Sequence, residues 1–252
     1  MKTLRFLGMA LAAVCMCVNF TACSGDDDNG SGTNMGEKKL VKMVLTSDDS
    51  TETFKFYYND QGQMIEMREE CEDEVWSSLY VWEDNTIKVM NGNGRIVCTY
   101  TIENGLIRSE KDPYAPADQA NRYYSYNLSD RLVRVAGYVD TEVTWEGDKL
   151  ISIVGPYDYF PTYTYGDVTC KKGYNPLIGV TDFAFTNPEL VGMRTNQLPI
   201  SSTNVFNGPY TEYNYTETYE YEFDKKGYIS QIKVTANKMS GSYTYFVNLT
   251  WK

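Results

Sequence analysis

No histidine occurs among the 252 residues. That absence removes the commonest general base, every Ser-His-Asp arrangement and every histidine zinc site. Chemistry would have to come from carboxylates, thiols or rings. Thirty-four Asp and Glu residues admit a glycosidase-type carboxylate pair, but no spacing singles one out. The run Glu69-Glu70-Cys71-Glu72-Asp73-Glu74 offers the hard oxygen ligands that calcium takes. It lacks the alternate spacing of an EF-hand loop, and reads as a solvated strand end. Gly92-Asn93-Gly94 has no βαβ pattern around it, so it is a turn and not a phosphate loop. There is no nucleophile elbow and no Cys-x-x-Cys pair. No catalytic residue, metal ligand or cofactor is assigned, and the chain is expected not to be an enzyme.

Rings are the other resource. The chain holds 22 tyrosines and the tryptophans Trp76, Trp82, Trp145 and Trp251. In the stretch WSSLYVW, Trp76, Ser78, Tyr80 and Trp82 fall on one face of a strand, and a serine there is unusual for a core. Trp76, Tyr80 and Trp82 are therefore the candidate ligand-binding residues, for a glycan or a protein partner. The competing reading is structural: cross-strand rings hold meanders together.

The elements that must position these rings are strands. Phe54, Phe56 and Tyr58 alternate with polar or outward positions. Tyr219, Tyr221 and Phe223 alternate with Glu220, Glu222 and Asp224. Tyr243, Tyr245, Val247, Leu249 and Trp251 close the chain in the same rhythm. Period two over such lengths means half-buried strands. Between them lie the turn signals Gln61-Gly62, Asn91 to Gly94, Asn104-Gly105, Gly147-Asp148, Gly166-Asp167 and Lys226-Gly227. Strand and turn combine into a degenerate repeat: aromatic-x-aromatic, polar turn, apolar-x-x-apolar. Copies are FYYNDQGQMIEM (Phe56 to Met67), YSYNLSDRLVRV (Tyr124 to Val135), VTWEGDKLISI (Val143 to Ile153) and YEFDKKGYISQI (Tyr221 to Ile232).

The expected fold is all-β: one antiparallel meander of ten to fourteen strands over 39–252, forming a large curved sheet or an open barrel. The rhythm breaks over 175–204, where three prolines and Asn187-Pro188-Glu189 predict a connection with one or two short helices. Its Phe183, Phe185, Leu190 and Met193 are expected to cover the sheet or its mouth. Cys71, Cys98 and Cys170 are three, so no disulfide framework is possible. Either one pair forms, with Cys71 and Cys98 the candidates, or all three are buried thiols.

The first 22 residues combine a positive start (Lys2, Arg5) with a 13-residue apolar run from Phe6 to Val18. That run suits a signal peptide and is too short to span a bilayer. Phe20-Thr21-Ala22-Cys23 resembles a bacterial lipobox, which implies that Cys23 is acylated and becomes the first residue. Residues 23–38 then read as a lipidated cysteine and an acidic, flexible tether. Asp26, Asp27 and Asp28 resemble the export signal of Bacteroidota surface lipoproteins. Cleavage before Cys23 leaves 21 basic against 34 acidic residues, a net charge of −13. That argues against nucleic acid and against electrostatic binding to an anionic lipid surface.

Tyr219 to Val234, the Asn-Pro and Asn-x-Leu-Pro elements between Asn175 and Pro199, and the lipobox together resemble a family of Bacteroidota lipoproteins. Their domain, of unknown function, is described as porin-like in fold. The resemblance implies a β-rich protein held at the outer membrane by its lipid and exposed at the cell surface, and carries no catalytic residue with it. A non-catalytic lipoprotein that binds or scaffolds a partner is the first reading, and a membrane-embedded porin-like barrel the second.

Overall fold

The alternation resolves into sixteen antiparallel strands, each paired with its sequence neighbours, and the last returns to pair with the first. The computed structural model describes residues 38–72, 74–138, 140–155, 159–178, 182–206 and 214–252. The leader, Cys23, the tether as far as residue 37, and Asp73 lie outside the described residues. The first half comprises β1 (Leu40–Thr46), β2 (Thr51–Tyr58), β3 (Met64–Cys71), β4 (Glu74–Glu83), β5 (Thr86–Asn91), β6 (Ile96–Glu103), β7 (Leu106–Lys111) and β8 (Asn121–Tyr126). The second comprises β9 (Leu132–Ala136), β10 (Thr141–Glu146), β11 (Lys149–Val154), β12 (Tyr159–Thr169), β13 (Gln197–Phe206), β14 (Tyr215–Phe223), β15 (Ile229–Lys238) and β16 (Gly241–Trp251). Closure sets Met43 opposite Leu249 and Leu45 opposite Val247.

The all-β meander is as expected, but the strand number and the open edge are corrected. The hairpin expected at Tyr124 to Val135 is present as the short strands β8 and β9, six and five residues long. β13 was hidden by Pro199, within the segment expected to be a connection. Pro199 lies opposite Tyr165, where the register shifts, so its missing N–H disturbs no regular ladder. Gly166-Asp167 is likewise not a hairpin turn. It falls inside β12, at a register shift between Tyr165 and Thr169.

The apolar-x-x-apolar spacing has a physical cause. Three residues cannot separate two inward side chains on a regular strand, where the period is two. A bulge near the start of the strand adds the extra residue. Such shifts put Met64 and Met67, Leu132 and Val135, Leu150 and Ile153, and Ile229 and Ile232 all in the interior. The carbonyl of the first of these inward residues, at or near the strand's start, then receives a hydrogen bond from a ring on the next strand. Tyr58 Oη donates to Leu40 O (2.8 Å), Trp82 Nε1 to Met64 O (2.8 Å) and Tyr126 Oη to Ile107 O (2.5 Å). Trp145 to Leu132, Tyr165 to Leu150, Tyr221 to Pro199 and Trp251 to Ile229 repeat the contact, each at 2.7 Å. The exception is β5, which has no such shift at its start; there β6 presents Ile102, whose backbone N–H reaches Asn85 O.

One end of the barrel, the turn end, carries both ends of the described chain and the connections that follow each even-numbered strand. The other, the loop end, carries the remaining connections. Asn59, Asn127 and Asp224 build turn-end hairpins alike, each side-chain oxygen accepting two backbone N–H groups. The connection from β12 to β13 plugs this end with α1 (Asp182–Thr186) and a 3-10 turn (Pro188–Val191). Pro188 takes the first position as expected, although Asn187 makes no side-chain cap. Phe183 is fully buried, its ring edge-on to Tyr100 (5.2 Å), Tyr80 (5.6 Å) and Trp82 (6.5 Å); the side chain of Phe185 lies outside the described ones. Gly192 sits with φ 60° against the β8–β9 turn, where a Cβ would come 2.2 Å from the Asp130 carbonyl. The segment thus crosses the mouth from β12 to the rings of β4 and β6 and is seated on the rim at the β8–β9 turn, covering the mouth as expected.

The alternation placed Phe223 inside with Tyr219 and Tyr221. The shift between Glu222 and Phe223 turns it out, and it is 40% exposed. Phe183→Ala is therefore expected to cost about 3–5 kcal/mol in urea unfolding, against about 1–2 kcal/mol for the partly covered Phe223→Ala.

Candidate functional site

The tryptophan-rich strand faces inward. Tyr80 and Ser78 are almost fully buried, while Trp76 and Trp82 are half-buried. Trp82 spends its indole N–H on Met64 O and Tyr80 lies under Phe183. The serine that made this face look unlike a core sits opposite Met67 and Asn91 within the interior. Rings that water reaches lie elsewhere: Tyr114, Tyr123 and Tyr138, all more than half exposed, cluster toward the loop end.

The chemistry-bearing residues of the interior are a hydroxyl–carboxylate cluster on β13, β14 and β16. Ser202 and Glu217 are register partners. Glu217 Oε2 accepts from Tyr219 Oη (2.7 Å) and Ser202 Oγ (3.3 Å), and Oε1 accepts from Tyr245 Oη (3.2 Å). Asn204 Nδ2 donates to Ser202 Oγ (3.0 Å). Burial pushes the Glu217 carboxyl up, against the opposing pull of the Tyr219, Tyr245 and Ser202 hydrogen bonds and of Lys238. Burial likewise raises Tyr219 and Tyr243, each further raised by Glu217, and carries Tyr165 to about 12. The interior is a medium in which charge is disfavoured.

A second interior carboxylate, Glu110 on β7, accepts from Tyr124 Oη (2.8 Å) and lies 3.8 Å from the Arg122 guanidinium. Glu110 and Ser202 occupy the inward position that Met67 or Ile153 fills in other hairpins, so both are polar replacements in one repeat. β7 and β14 are nearly opposite in the strand order, and neither pairing nor hydrogen bonding couples the two carboxylates. What the arrangement can do is hold one proton on Glu217 among hydroxyl donors.

One signal could have found Glu217: in TETYEYEF it is the single acid in phase with Tyr219 and Tyr221. Ser202 and Asn204 carried none, because their strand was taken for a connection. Among the described residues the three cysteines form no disulfide. Cys98 and Cys170 are buried, Cys71 is half-buried, and the candidate pair Cys71 and Cys98 does not form. The strands β3 and β6 that carry them are separated by two others.

Because burial raises the folded-state value of Glu217, the folded protein holds a proton that the unfolded chain releases near the ordinary 4.5. Stability from this group is thus complete below that value and falls as pH rises through the window above it. Glu217→Gln keeps the hydrogen-bonding shape and removes the charge. Its urea midpoint is expected to decline less than the parent's between about pH 4 and about pH 7; parallel declines would show that Glu217 does not drive the change.

No protein-family model matches the chain, and no curated protein sequence matches it. Among solved structures, a porin-like protein from Bacteroides uniformis superposes with a TM-score of 0.62 at 17% identity, covering 84% of this chain and 98% of that one. A porin-like protein from Bacteroides vulgatus gives 0.52 at 14% identity, with the same two coverages. These likenesses establish a shared fold.

Proposed function

We infer that the chain is a non-catalytic, lipid-anchored barrel of the cell envelope that stands in water and presents its loop end to a partner. The observation that carries this is the sign of its two faces. The interior holds Phe54, Phe56, Met64, Ile87, Leu132, Leu150, Ile232 and Val247, all essentially fully buried. The exterior carries ion pairs between and along strands: Lys55–Glu70 (2.6 Å), Arg68–Glu66 (2.8 Å), Lys88–Glu83 (2.6 Å) and Lys233–Glu220 (2.6 Å). On β14 the exposed residues are Thr216, Thr218, Glu220, Glu222 and Phe223. A membrane barrel needs the reverse, an apolar outer band and a polar lumen. Lys55, Arg68, Lys88 and Lys233 on a lipid face would together cost roughly 10 kcal/mol.

Sixteen- to eighteen-stranded porins enclose an aqueous channel. Here the Phe183 plug and the inward rings fill the turn end. Anchoring at Cys23 is supported by the lipobox, and the envelope setting by the likeness to porin-like Bacteroides proteins. The exposed rings Tyr114, Tyr123 and Tyr138 suit glycan stacking or a protein interface better than the half-buried Trp76 and Trp82 and the buried Tyr80. A glycan-array screen of residues 38–252 would identify such a ligand.

The competing reading, a membrane-embedded barrel, has the porin-like fold in its favour, and one pair of measurements separates the two. Residues 38–252 are expected to elute as a single species without detergent and to give no conductance in a planar bilayer. Aggregation cured only by detergent, together with channel currents, would establish the membrane barrel. Separately, Cys23→Ala is expected to abolish labelling by a fatty-acid analogue; a labelled mutant would refute the anchor.

A further inference from the structure

Seven of the fourteen described lysines of this acidic chain stand at one place. At the turn end, the sector from β12 to β1 carries Lys38, Lys39, Lys171, Lys172, Lys225, Lys226 and Lys252. Contacts converge on Tyr228 and Trp251. The Lys38 backbone N–H donates to Tyr228 Oη (2.9 Å), and its ammonium to Trp251 O (3.1 Å). Lys172 pairs with Tyr228 in an isolated parallel bridge and holds its ammonium 5.9 Å from that ring's centre. Lys171 lies over Gly227, in the turn that also carries Lys225 and Lys226. Lys39 and Lys252 exchange backbone hydrogen bonds of 2.7 and 2.9 Å.

Of the acids in this sector, Asp167 and Glu222 are exposed and make no ion pair among the described residues, and others are engaged. Asp224 accepts the backbone N–H groups of Lys226 and Tyr228, and Glu189 pairs with Arg194. Among the described residues Lys171, Lys172, Lys225 and Lys226 make no ion pair and are exposed. Beside them is a shallow cavity of about 420 Å³, lined by Lys171, Lys172, Arg131, Arg194, Thr195 and Asn196. Asp148, also at its edge, is held by Arg131 at 2.5 Å.

We propose that this lysine sector and its cavity receive the phosphates of anionic lipid headgroups and so orient the barrel with its turn end on the membrane. The net charge of −11 does not forbid it. Screening reduces fields over about 8–10 Å, whereas strands of eight to eleven residues hold the loop-end acids roughly 25–35 Å away. On the same rim Asp84 and Glu103 lie at the β4–β5 and β6–β7 turns, away from the sector, whereas Asp60 stands in the β2–β3 turn that borders Lys39. The sector therefore meets a surface as a local cation, tilting the barrel toward β12–β1. Lys38 is fixed in this sector by its two hydrogen bonds, so a lipid attached upstream draws in this end. The orientation rests on the anchor reading above; the electrostatic contact does not.

The test uses the chain from residue 23 onward carrying Cys23→Ala, which bears no acyl group. Vesicles of phosphatidylcholine with about one-third phosphatidylglycerol are expected to bind it in a salt-sensitive way, and pure phosphatidylcholine vesicles are not. Lys171→Ala should weaken binding about fivefold, and the combined Lys171, Lys172, Lys225 and Lys226→Ala variant more than roughly a hundredfold. These side chains are exposed, so the variants' urea unfolding should match the parent's. Lys111→Ala, at the loop end, should leave binding unchanged; an equal loss there would refute a local site. Absence of vesicle binding, or binding of inorganic phosphate without vesicle binding, would overturn the membrane assignment. A chain that fails here yet labels at Cys23 loses the docking surface and keeps its anchor, and the converse result separates the two the other way.

Discussion

A carbonyl left unpaired inside a barrel costs about 1–3 kcal/mol, and this barrel shifts its strand register at nearly every second strand. The shift lets strands begin inside a tight turn and still bring two apolar side chains inward three residues apart. Its consequence is a strand-start carbonyl that needs a donor, and a tyrosine hydroxyl or tryptophan N–H from the next strand supplies it in seven hairpins. One ring thus fills interior volume and completes a backbone hydrogen bond. The hairpin that lacks the shift at β5 also lacks the ring on β6, which ties the two features together. The abundance of tyrosine follows from this: a phenylalanine would fill the space and leave the carbonyl bare.

Filling from within determines what the outer face can be. With aliphatic side chains and the Phe183 plug inside, the exterior is free to carry threonine, lysine and glutamate, and it does. The fold shared with porin-like proteins says how the strands are connected. Which solvent suits which side depends on residue chemistry, face by face, and here the ion-paired and hydroxyl-bearing residues lie on the outer face.

The polar exceptions inside follow the same repeat. Glu110 and Ser202 stand where other hairpins place an apolar residue, and Glu217 stands in phase with two tyrosines. Each is satisfied by hydroxyls close by, as buried polar groups must be. The turn end carries a lysine-rich sector, while the exposed rings Tyr114, Tyr123 and Tyr138 stand toward the loops, where Arg95 packs on Tyr114.

Local regularities were legible in the sequence because they are local. Alternation, Asn-Gly turns and the apolar-x-x-apolar spacing each depend on a few adjacent residues, and they gave strands, hairpins and an all-β meander directly. The same locality misled at Phe223, Gly166 and Pro199, where a one-residue shift reverses the face or continues a strand that composition says should stop. Closure of β1 on β16 joins residues some two hundred positions apart, and no periodicity encodes such a pairing. Nor could composition say that Tyr80 and Trp82 would be packed under Phe183, which lies about a hundred residues further on. The residue types determined a ring-rich sheet without histidine chemistry. Tertiary structure decided which rings meet water, where the lone interior acids sit and which end gathers the lysines, because burial and field are properties of chain segments brought together only when the barrel closes.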